Sequence, residues 1–208
     1  MFITFEGPDG SGKSSQVASL AGYLEGQDFN VLVTREPGGT AIGDQIRAIL
    51  SDLGNTDMHP RAETLLFLAA RAQIVEQVIL PAIAAGSIVL CGRYADSTLA
   101  YQGYGHQHDL RQIQTLLDFA TGGLKPDLTL LLDVDVEVGL QRRASGGEWN
   151  RLDAYNLAFH RRVRQGYHLL VQADPQRWVV IDAGQPAEQV QATIRQIVMA
   201  RLGAINLQ

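Results

Sequence analysis

Residues 2–14 read FITFEGPDGSGKS, and this stretch decides the fold. Its first part, Phe2–Glu6, is a short apolar run typical of a buried strand. The run leads directly into Gly7–Ser14, which matches the pattern G-x-x-x-x-G-K-[ST] in full. Glycines at these positions let backbone N–H groups turn inward around phosphate oxygens, and the start of the following helix adds positive potential. The stretch therefore predicts a phosphate-binding loop between a strand and a helix, with a nucleoside triphosphate as ligand.

Two side chains of this loop carry phosphate chemistry of their own. The ammonium group of Lys13 can reach the β- and γ-phosphates of a triphosphate, and the Ser14 hydroxyl can ligate Mg²⁺. The loop alone does not name the reaction. The N-K-x-D motif of guanine-specific switch proteins does not occur in the sequence, and the chain is small for a motor or a transporter ATPase. These features favour a kinase that acts on a small molecule.

The rest of the chain alternates strand-like and helix-like segments. Runs that are apolar almost throughout are typical of parallel strands covered by helices on both faces. We therefore predict an α/β fold, a P-loop NTPase fold with a five-stranded parallel sheet flanked by helices and a short lid segment. Besides Phe2–Glu6, the predicted strands are Asn30–Thr34, Ser87–Cys91, Leu128–Asp133 and Arg177–Asp182, and the predicted helices are about 13–26, 41–53, 60–85, 109–121, 135–145, 152–173 and 186–202.

Composition restricts the class of protein. The 208 residues, 46% of them hydrophobic, suit one domain over 1–208. A net charge of −5 argues against a broad nucleic-acid-binding surface. The single cysteine, Cys91, excludes an internal disulfide and favours a reducing compartment. The N-terminus lacks a signal-peptide pattern, and the apolar runs are shorter than the roughly 20 residues of a membrane helix. We expect a cytoplasmic protein with no membrane or nucleic-acid partner.

Four further segments carry groups suited to a nucleotide acceptor. They are REPGGT at 35–40, LLFLAAR at 65–71, RYADSTLAYQG at 93–103, and the arginines that bracket 144–150. Phe67 and Arg71 are four residues apart and share one helix face, where a ring can stack on a base and a guanidinium can donate to a carbonyl oxygen. Taken alone, a core phenylalanine and a surface arginine explain this pair more simply. Arg35 and Arg93 each follow a strand and could hold an acceptor phosphate in line with the γ-phosphate, although surface salt bridges are the alternative.

In this order, and together with the phosphate loop, these segments closely resemble the bacterial thymidylate kinases, from Phe2 to about Ala183. TREPGG and AYQG are specific to that family, whereas the phosphate loop is not. The resemblance implies a nucleoside monophosphate kinase that phosphorylates dTMP to dTDP in dTTP biosynthesis, with ATP as co-substrate and Mg²⁺ as cofactor. Direct in-line transfer is the implied mechanism. It also implies a homodimer, with the helical segment 60–85 as the shared face.

The resemblance assigns roles along the chain. At the acceptor, Asp9 would accept from the sugar 3′-hydroxyl and Tyr101 would disfavour ribose. Phe67 and Arg71 would stack on and hydrogen-bond the thymine. The implied ATP-binding residues are Gly7, Pro8, Asp9, Gly10, Ser11, Gly12, Lys13, Ser14 and Arg142; the implied dTMP-binding residues are Asp9, Arg35, Phe67, Arg71, Arg93, Thr98, Tyr101 and Gln102; and Ser14 and, through water, Glu36 would hold Mg²⁺.

The segment of about 142–153 resembles the closing lid of these kinases. Gly10 stands after the loop acid Asp9, where part of the family has a basic residue. In the family variant with this feature, the lid supplies the catalytic arginines, and Arg142 packs on adenine. The implied catalytic residues are Lys13, Arg93, Arg143 and Arg151.

The sequence departs from the family pattern at two places. The family normally has Asp-Arg-Tyr or Asp-Arg-His after the third strand, but here Gly92 precedes Arg93. The lid has Asn150-Arg-Leu-Asp153 where Asp-Arg-x-Glu is usual. The lost carboxylate at Gly92 leaves one alternative open, a nucleotide-binding protein with weak or no turnover. A kinase for another nucleoside monophosphate is the second alternative.

Overall fold

A parallel sheet forms the centre of the computed structural model, which describes residues 1–146 and 149–205. Its five strands are β1 (Phe2–Glu6), β2 (Val31–Arg35), β3 (Ile88–Gly92), β4 (Leu128–Asp133) and β5 (Trp178–Asp182). They lie in the order β2-β3-β1-β4-β5, and every neighbouring pair is parallel. The predicted α/β fold with a five-stranded parallel sheet is confirmed, and each strand begins within one residue of its predicted start.

Helices connect the strands in the crossovers that a parallel sheet requires. In chain order they are α1 (Lys13–Glu25), α2 (Ala41–Ser51), α3 (Pro60–Ile74), α4 (Leu80–Ala84), α5 (Ala95–Thr98), α6 (Leu110–Thr121), α7 (Val136–Ser145), α8 (Leu157–Ala173) and α9 (Ala187–Ile205). Two π-helical segments, π1 (Val75–Ile79) and π2 (Leu99–Gly105), continue α3 and α5 respectively. The sequence pattern does not predict α5 or π2, and it places the start of α8 five residues too early.

Helix boundaries follow from local chemistry. Thr40 caps the start of α2 from the position just before the helix: its side chain accepts a hydrogen bond from the backbone N–H of Gly43 at 2.9 Å. Asn156 does the same for Phe159 at the start of α8, also at 2.9 Å. Residues just before Asn156 form turns, so the helix cannot start where its periodicity suggested. Gly122 ends α6 with a φ of +60°, a conformation that glycine adopts without strain.

The sheet is buried by helices on both faces. β1 lies in the middle of the sheet, and all five of its residues are buried. On one face, α1 and α9 pack over β1, β4 and β5 through a large apolar cluster. On the other face, α3 with π1 packs against β3, while α8 and π2 pack against β4 and β5. This arrangement leaves the carboxyl ends of the strands open at one edge, where ligands bind in such folds.

Two glycines bring α8 and π2 into close contact. A Cβ atom at Gly166 would lie 2.5 Å from the ring of Tyr104, and one at Gly105 would lie 2.7 Å from the ring of Phe159. Neither position has room for a larger side chain. The contact fixes π2, which carries Tyr101 and Gln102, at the edge of the sheet.

The continuous helix Pro60–Ala84, made of α3, π1 and α4, corrects the expectation that no segment is long enough to cross a membrane. Its 25 residues pass that test by length and composition. The sequence analysis overlooked it because charged residues interrupt the apolar runs. The helix packs against α2, α6 and the sheet, and a helix in the core of a folded domain passes the same test. One such helix is weak evidence for a membrane span.

Candidate active site

A cavity of about 600 Å³ opens at the carboxyl ends of β1, β2 and β3, a size typical of small-molecule sites. It is the meeting point of most of the sequence-predicted residues. Those that line it are Asp9, Gly10, Gly12, Lys13, Ser14, Arg35, Glu36, Phe67, Arg93, Thr98, Tyr101, Gln102, Arg142 and Arg143. The predicted residues outside its lining are Gly7, Pro8, Ser11, Arg71 and Arg151.

The phosphate loop requires glycine at two close approaches of the backbone. Gly7 has a φ of +138°, and a Cβ there would lie 2.3 Å from the carbonyl oxygen of Leu132 in β4. Gly10 has a φ of +75°, and its Cβ would lie 1.9 Å from the carbonyl oxygen of Gly139 in α7. A basic side chain therefore cannot be accommodated at position 10 without moving α7. The same contact sets α7, which leads to Arg142 and Arg143, directly against the loop.

The side chain of Lys13 folds back into the phosphate loop. Its ammonium group donates to the carbonyl oxygens of Gly7 at 3.0 Å and Pro8 at 2.7 Å, and to Ser11 Oγ at 3.1 Å. Burial, together with the nearby cation of Arg93, lowers the pKa of Lys13 to about 7. Phosphate oxygens at the loop would offset both effects, because they are anionic acceptors.

Arg93 has a side chain that contacts several elements around the cavity. Its guanidinium forms an ion pair with Asp9 at 2.6 Å and donates to Tyr101 Oη at 3.0 Å. The other guanidinium nitrogen donates to Ser97 Oγ at 3.1 Å and Tyr167 Oη at 3.2 Å. Its backbone has a φ of +68°, which is uncommon for a residue with a side chain. These contacts hold the guanidinium beside the phosphate loop.

Asp9 is held by two donors. Tyr101 donates to Asp9 Oδ2 at 2.6 Å, and Arg93 occupies Oδ1. Burial alone would raise the pKa of Asp9, but the cations of Arg93 and Lys13 outweigh it and lower the pKa to about 2. Asp9 is therefore a carboxylate at neutral pH. It can accept a hydrogen bond from a hydroxyl group in the cavity.

Glu6 is a buried carboxyl beneath the cavity that sequence reasoning missed. Its Oε1 accepts from the backbone N–H of Tyr94 at 2.7 Å. Its Oε2 accepts from Ser97 Oγ at 2.5 Å and Tyr167 Oη at 2.9 Å, the same hydroxyls that accept from Arg93. Burial and the charge of Asp96 raise the pKa of Glu6 to about 7. A charged residue ending a strand that is otherwise apolar was the signal in the sequence.

Arg71 lies behind the cavity wall. Its side chain is 1% exposed and pairs with Glu36 Oε2 at 2.6 Å. It also donates to Thr98 Oγ1 at 2.7 Å and to the carbonyl oxygen of Tyr94 at 2.9 Å. Burial raises the pKa of Glu36, and Glu36 Oε1 is buried without a hydrogen-bond partner among the described residues. Arg71 was predicted to contact a base directly. In this structure Thr98, which does line the cavity, lies between the Arg71 guanidinium and the open space.

Phe67 and Arg35 line the cavity from α3 and from the end of β2. Phe67 is half-buried. Arg35 is exposed, and its side chain makes no ion pair or hydrogen bond with the described residues. Gly92 is the last residue of β3 and directly precedes Arg93. A Cβ at Gly92 would meet only Arg35 Cβ, at an ordinary 3.8 Å. Sterics therefore do not explain glycine at this position.

Two arginines of the predicted lid, Arg142 and Arg143, have different partners. Arg142 donates to the carbonyl oxygen of Ala183 at 3.0 Å, and Arg143 pairs with Asp153 at 2.8 Å. Both line the cavity. Residues 147 and 148, inside the predicted lid of about 142–153, lie outside the described residues.

Arg151 does not line the cavity. It is 7% exposed and pairs with Glu63 Oε2 at 2.6 Å. It also donates to Tyr155 Oη at 2.9 Å and to the carbonyl oxygen of Leu50 at 3.0 Å. These contacts fasten the end of the predicted lid segment to α2 and α3. Glu63, which the sequence analysis did not single out, is the acceptor that organises this contact.

The comparisons with known proteins agree on one family. The family model described as thymidylate kinase matches residues 5–194. A thymidylate kinase of Roseiflexus sp. (strain RS-1) is 51% identical over 218 residues, covering 99% of this chain and 96% of that protein. One from Thermomicrobium roseum is 53% identical over 202 residues, covering 95% of both. The crystal structure of thymidylate kinase from Ehrlichia chaffeensis superposes with a TM-score of 0.77 at 34% identity, covering 95% of this chain and 98% of that one.

Proposed function

Because the chain belongs to the thymidylate kinase family and is a dTMP kinase that uses ATP, we propose that the cavity at the carboxyl ends of β1, β2 and β3 is where phosphoryl transfer takes place. The observation that carries this proposal is the convergence of the phosphate loop, Arg93 and Arg35 on one cavity. A binding protein without turnover is not favoured, because relatives about half identical over the whole chain are thymidylate kinases.

ATP is proposed to bind with its phosphates in the loop Gly7–Ser14. Backbone N–H groups and the start of α1 supply the anion-binding potential. The Lys13 ammonium, already inside the loop, would turn from its carbonyl partners to the β- and γ-phosphates. Arg142, anchored on Ala183, lies at the side of the cavity proposed for adenine.

The residues present fit a magnesium ion that is bound largely by the nucleotide. Ser14 and Glu36 line the cavity, and Glu36 Oε1 is buried without a hydrogen-bond partner among the described residues. The described residues contain no cluster of three or more His, Cys, Asp or Glu that could hold a metal ion by itself. Mg²⁺ usually keeps several waters and takes few protein ligands. Bound with ATP, it would neutralise the charge of the β- and γ-phosphates.

The acceptor dTMP is proposed to lie between the phosphate loop and α3. Arg93 and Arg35 would bind its phosphate, in line with the γ-phosphate of ATP. Asp9, held as a carboxylate, would accept from the 3′-hydroxyl, while the Tyr101 ring would occupy the space of a 2′-hydroxyl. Phe67 would stack on the base.

The edge of the base is proposed to meet Thr98 and Gln102. Both line the cavity, and Arg71 donates to Thr98 Oγ1 from behind. Arg71 would therefore act largely through Thr98, unless the ligand moves it. This arrangement makes the recognition of the base depend on hydrogen-bond direction as well as on stacking.

Lid closure is proposed to complete the site and exclude water. Arg143 lines the cavity and would stabilise charge on the transferring phosphoryl group. For Arg151 to do the same, its buried ion pair with Glu63 would have to break. Arg151 stays a predicted catalytic residue on the resemblance alone.

We further propose that the enzyme is a cytoplasmic homodimer without a nucleic-acid partner. Exposed apolar side chains gather on α2, α3 and α6 and in the loop after α2, and a second copy of the chain would cover them. They include Ile42, Ile49, Leu53, Leu65, Leu116 and Phe119. The reduced, buried Cys91 and the net charge of −5 support the other two proposals.

The test is ADP release from Mg·ATP in a coupled assay, with dTMP, dUMP, AMP, GMP and CMP offered separately. A strong preference for dTMP is expected. Preference for another monophosphate would overturn the proposed placement of the base. Measurable dTMP binding without turnover would restore the binding-protein alternative, and Gly92→Asp would then show whether the missing carboxylate is the cause.

A further inference from the structure

Glu63 is a fully buried carboxylate that four donors from other elements surround. It lies on α3 with 0% exposure. Gln102 Nε2 donates to its Oε1 at 2.9 Å, and His106 Nε2 lies 3.1 Å from the same oxygen. Arg151 Nη2 at 2.6 Å and Tyr155 Oη at 2.7 Å donate to its Oε2. Of these four partners, Gln102 is the one that lines the active-site cavity.

The charge of Glu63 fixes the direction of its bond to Gln102. Burial alone would raise the pKa of Glu63, but hydrogen bonds from His106, Gln102, Tyr155 and Arg151 outweigh it and lower the pKa to about 2. An ionised carboxylate can only accept hydrogen bonds. The Gln102 amide must therefore turn its NH₂ group toward Glu63, because a flipped amide would oppose a carbonyl oxygen to the carboxylate.

This orientation decides what Gln102 offers to a ligand. With Nε2 turned to Glu63, the carbonyl oxygen Oε1 is the acceptor left for the cavity, and no described residue donates to it. Thr98 is constrained in a complementary way. Its Oγ1 accepts from Arg71 at 2.7 Å, so its own O–H is available as a donor.

We propose that Glu63 is a positioning residue for base specificity, which holds Gln102 so that an acceptor faces the ring nitrogen N3 of the bound pyrimidine. Thymine and uracil carry a proton on N3, whereas cytosine has an acceptor there. The neighbouring carbonyl O4 of thymine would accept a hydrogen bond from the Thr98 hydroxyl, whereas the amino group at that position of cytosine is a donor and cannot. The inference rests on the proposed placement of the dTMP base beside Thr98 and Gln102, and it concerns selection among bases.

The energetic reason for such a device is the cost of an unpaired polar group. A buried site built to pair with a substrate N–H rejects an analogue that lacks it by a factor of roughly 10⁴ in the best cases. A glutamine that could flip would lose this power, because it would offer its NH₂ group to cytosine N3 instead. Holding the amide from behind with a carboxylate prevents the flip.

The test compares Glu63→Gln with a matched variant, Tyr155→Phe. Glu63→Gln keeps the shape of residue 63 but lets the Gln102 amide turn over. Tyr155→Phe removes another donor to the same carboxylate and leaves the Gln102 bond in place. For each folded variant, kcat/KM is measured for dTMP, dUMP and dCMP at saturating Mg·ATP, together with KM for ATP.

In Glu63→Gln we expect the ratio of kcat/KM for dTMP to that for dCMP to fall at least tenfold, with KM for ATP unchanged. In Tyr155→Phe the ratio should stay within about twofold of the wild type. General destabilisation lowers both activities together, so it does not move the ratio. An unchanged ratio in Glu63→Gln would overturn this inference. A wild-type enzyme that does not discriminate dTMP from dCMP would instead overturn the proposed placement of the base.

A measurement on the wild type covers the case in which Glu63→Gln does not fold. In the ¹⁵N-labelled enzyme without nucleotide, the side-chain NH₂ of Gln102 is identified by its disappearance in Gln102→Met. We expect one of its protons to exchange slowly with solvent and to lie downfield, as a proton donated to a buried carboxylate does. Two protons that exchange as those of a surface glutamine do would overturn the proposal.

Discussion

Arg93 combines an unfavourable backbone conformation with side-chain contacts to several elements around the cavity. A φ of +68° costs an ordinary residue on the order of 1 kcal/mol or more. Acceptors in the phosphate loop and on α5, π2 and α8 receive its N–H groups. Strain of this kind persists where the surroundings fix the residue, and it places the guanidinium fork beside the phosphate loop.

Arg93→Lys should lower kcat by about 100-fold or more while the protein stays folded. A lysine ammonium is a compact charge and cannot reach Asp9, Ser97 and Tyr101 at once, so the phosphate-binding geometry is lost. Steady-state kinetics with dTMP and Mg·ATP measure the effect. The control is Arg161→Lys, which changes an exposed arginine paired with Glu137 on the surface and should leave kcat within twofold. Wild-type kcat in Arg93→Lys would show that the fork is not needed.

Glu6 should make stability depend on pH in the opposite sense to an ordinary salt-bridged acid. Its pKa is raised from 4.5 to about 7 in the folded protein, so the folded state binds the proton more tightly than the unfolded chain. Its contribution to stability is therefore greatest below about pH 4.5 and is lost as pH rises to about 7. Above about pH 7, Glu6 is ionised in both states, so its effect on the free energy of unfolding no longer changes with pH.

Glu6→Gln should remove this dependence. The neutral amide keeps an acceptor for the Tyr94 N–H and can donate to the hydroxyls of Ser97 or Tyr167. We expect the free energy of unfolding of Glu6→Gln, minus that of the wild type, to rise by on the order of 2 kcal/mol between pH 4.5 and pH 8. Urea denaturation at several pH values gives this difference, and Glu137→Gln on the surface is the control. A difference that does not vary with pH would contradict a raised pKa.

The elements that the sequence predicted well are those whose signal is local. All five strands were predicted because each is a short apolar run next to polar or turn residues, as parallel strands covered by helices are. The signal is clearest in the three inner strands, which are buried almost throughout. The loop between β1 and α1 was also predicted, because its pattern lies within Gly7–Ser14; that it binds phosphate stays a prediction. Neither α5 nor π2 was predicted, since Thr98, Tyr101 and Gln102 face the cavity and interrupt any helical pattern of apolar residues.

The parts of the site that escaped prediction depend on contacts between distant segments. Glu6 meets Ser97 and Tyr167, and Glu63 meets Gln102 and Arg151. Each partner is between 39 and 161 residues away along the chain. A periodicity or motif cannot show such pairs. The resemblance placed Arg151 among the catalytic residues, whereas in this structure the same arginine fastens the lid base to Glu63.

At the scale of elements, the contact of α8 with π2 should tolerate no added methyl group. Gly166→Ala would push Cβ to 2.5 Å from the Tyr104 ring, so the ring or α8 must shift, and we expect a loss of about 1–3 kcal/mol in stability. The matched control is Gly22→Ala in α1, where a Cβ meets nothing within 4 Å. That change should stabilise by about 0.5–1 kcal/mol, because alanine favours a helix over glycine. Thermal or urea unfolding measures both.

Equal effects of the two substitutions would contradict this packing. Because α8 supports π2, we also expect KM for dTMP to rise more in Gly166→Ala than KM for ATP. Gly22→Ala, on the far side of the sheet, should change neither.

At the scale of the whole molecule, the long helix Pro60–Ala84 connects two observations. Its apolar composition resembles that of a membrane span, and one third of the relevant window is buried within the chain. The same helix carries Phe67, which lines the cavity, and Glu63 and Arg71, which are fixed behind its wall on the side proposed for the acceptor. A second copy of the chain against this helix would bury its exposed apolar face and would also steady the acceptor site.

Leu65→Glu should therefore convert a dimer to a monomer. Leu65 is 57% exposed on α3, and α3 packs against α2 and α6, which places Leu65 near the middle of the proposed shared face. A carboxylate there would be buried without a partner in the dimer, at a cost of several kcal/mol. Sedimentation at micromolar concentration should give a dimer for the wild type and a monomer for the variant. Leu169→Glu, at a 40% exposed leucine on α8, should remain a dimer.

A wild-type monomer at this concentration would remove the proposal, and a dimer in both variants would move the interface away from α3. If the dimer steadies Phe67 and Arg71, KM for dTMP should rise in Leu65→Glu. KM for ATP should stay constant, because the proposed ATP-binding residues lie in the phosphate loop and on α1 and α7.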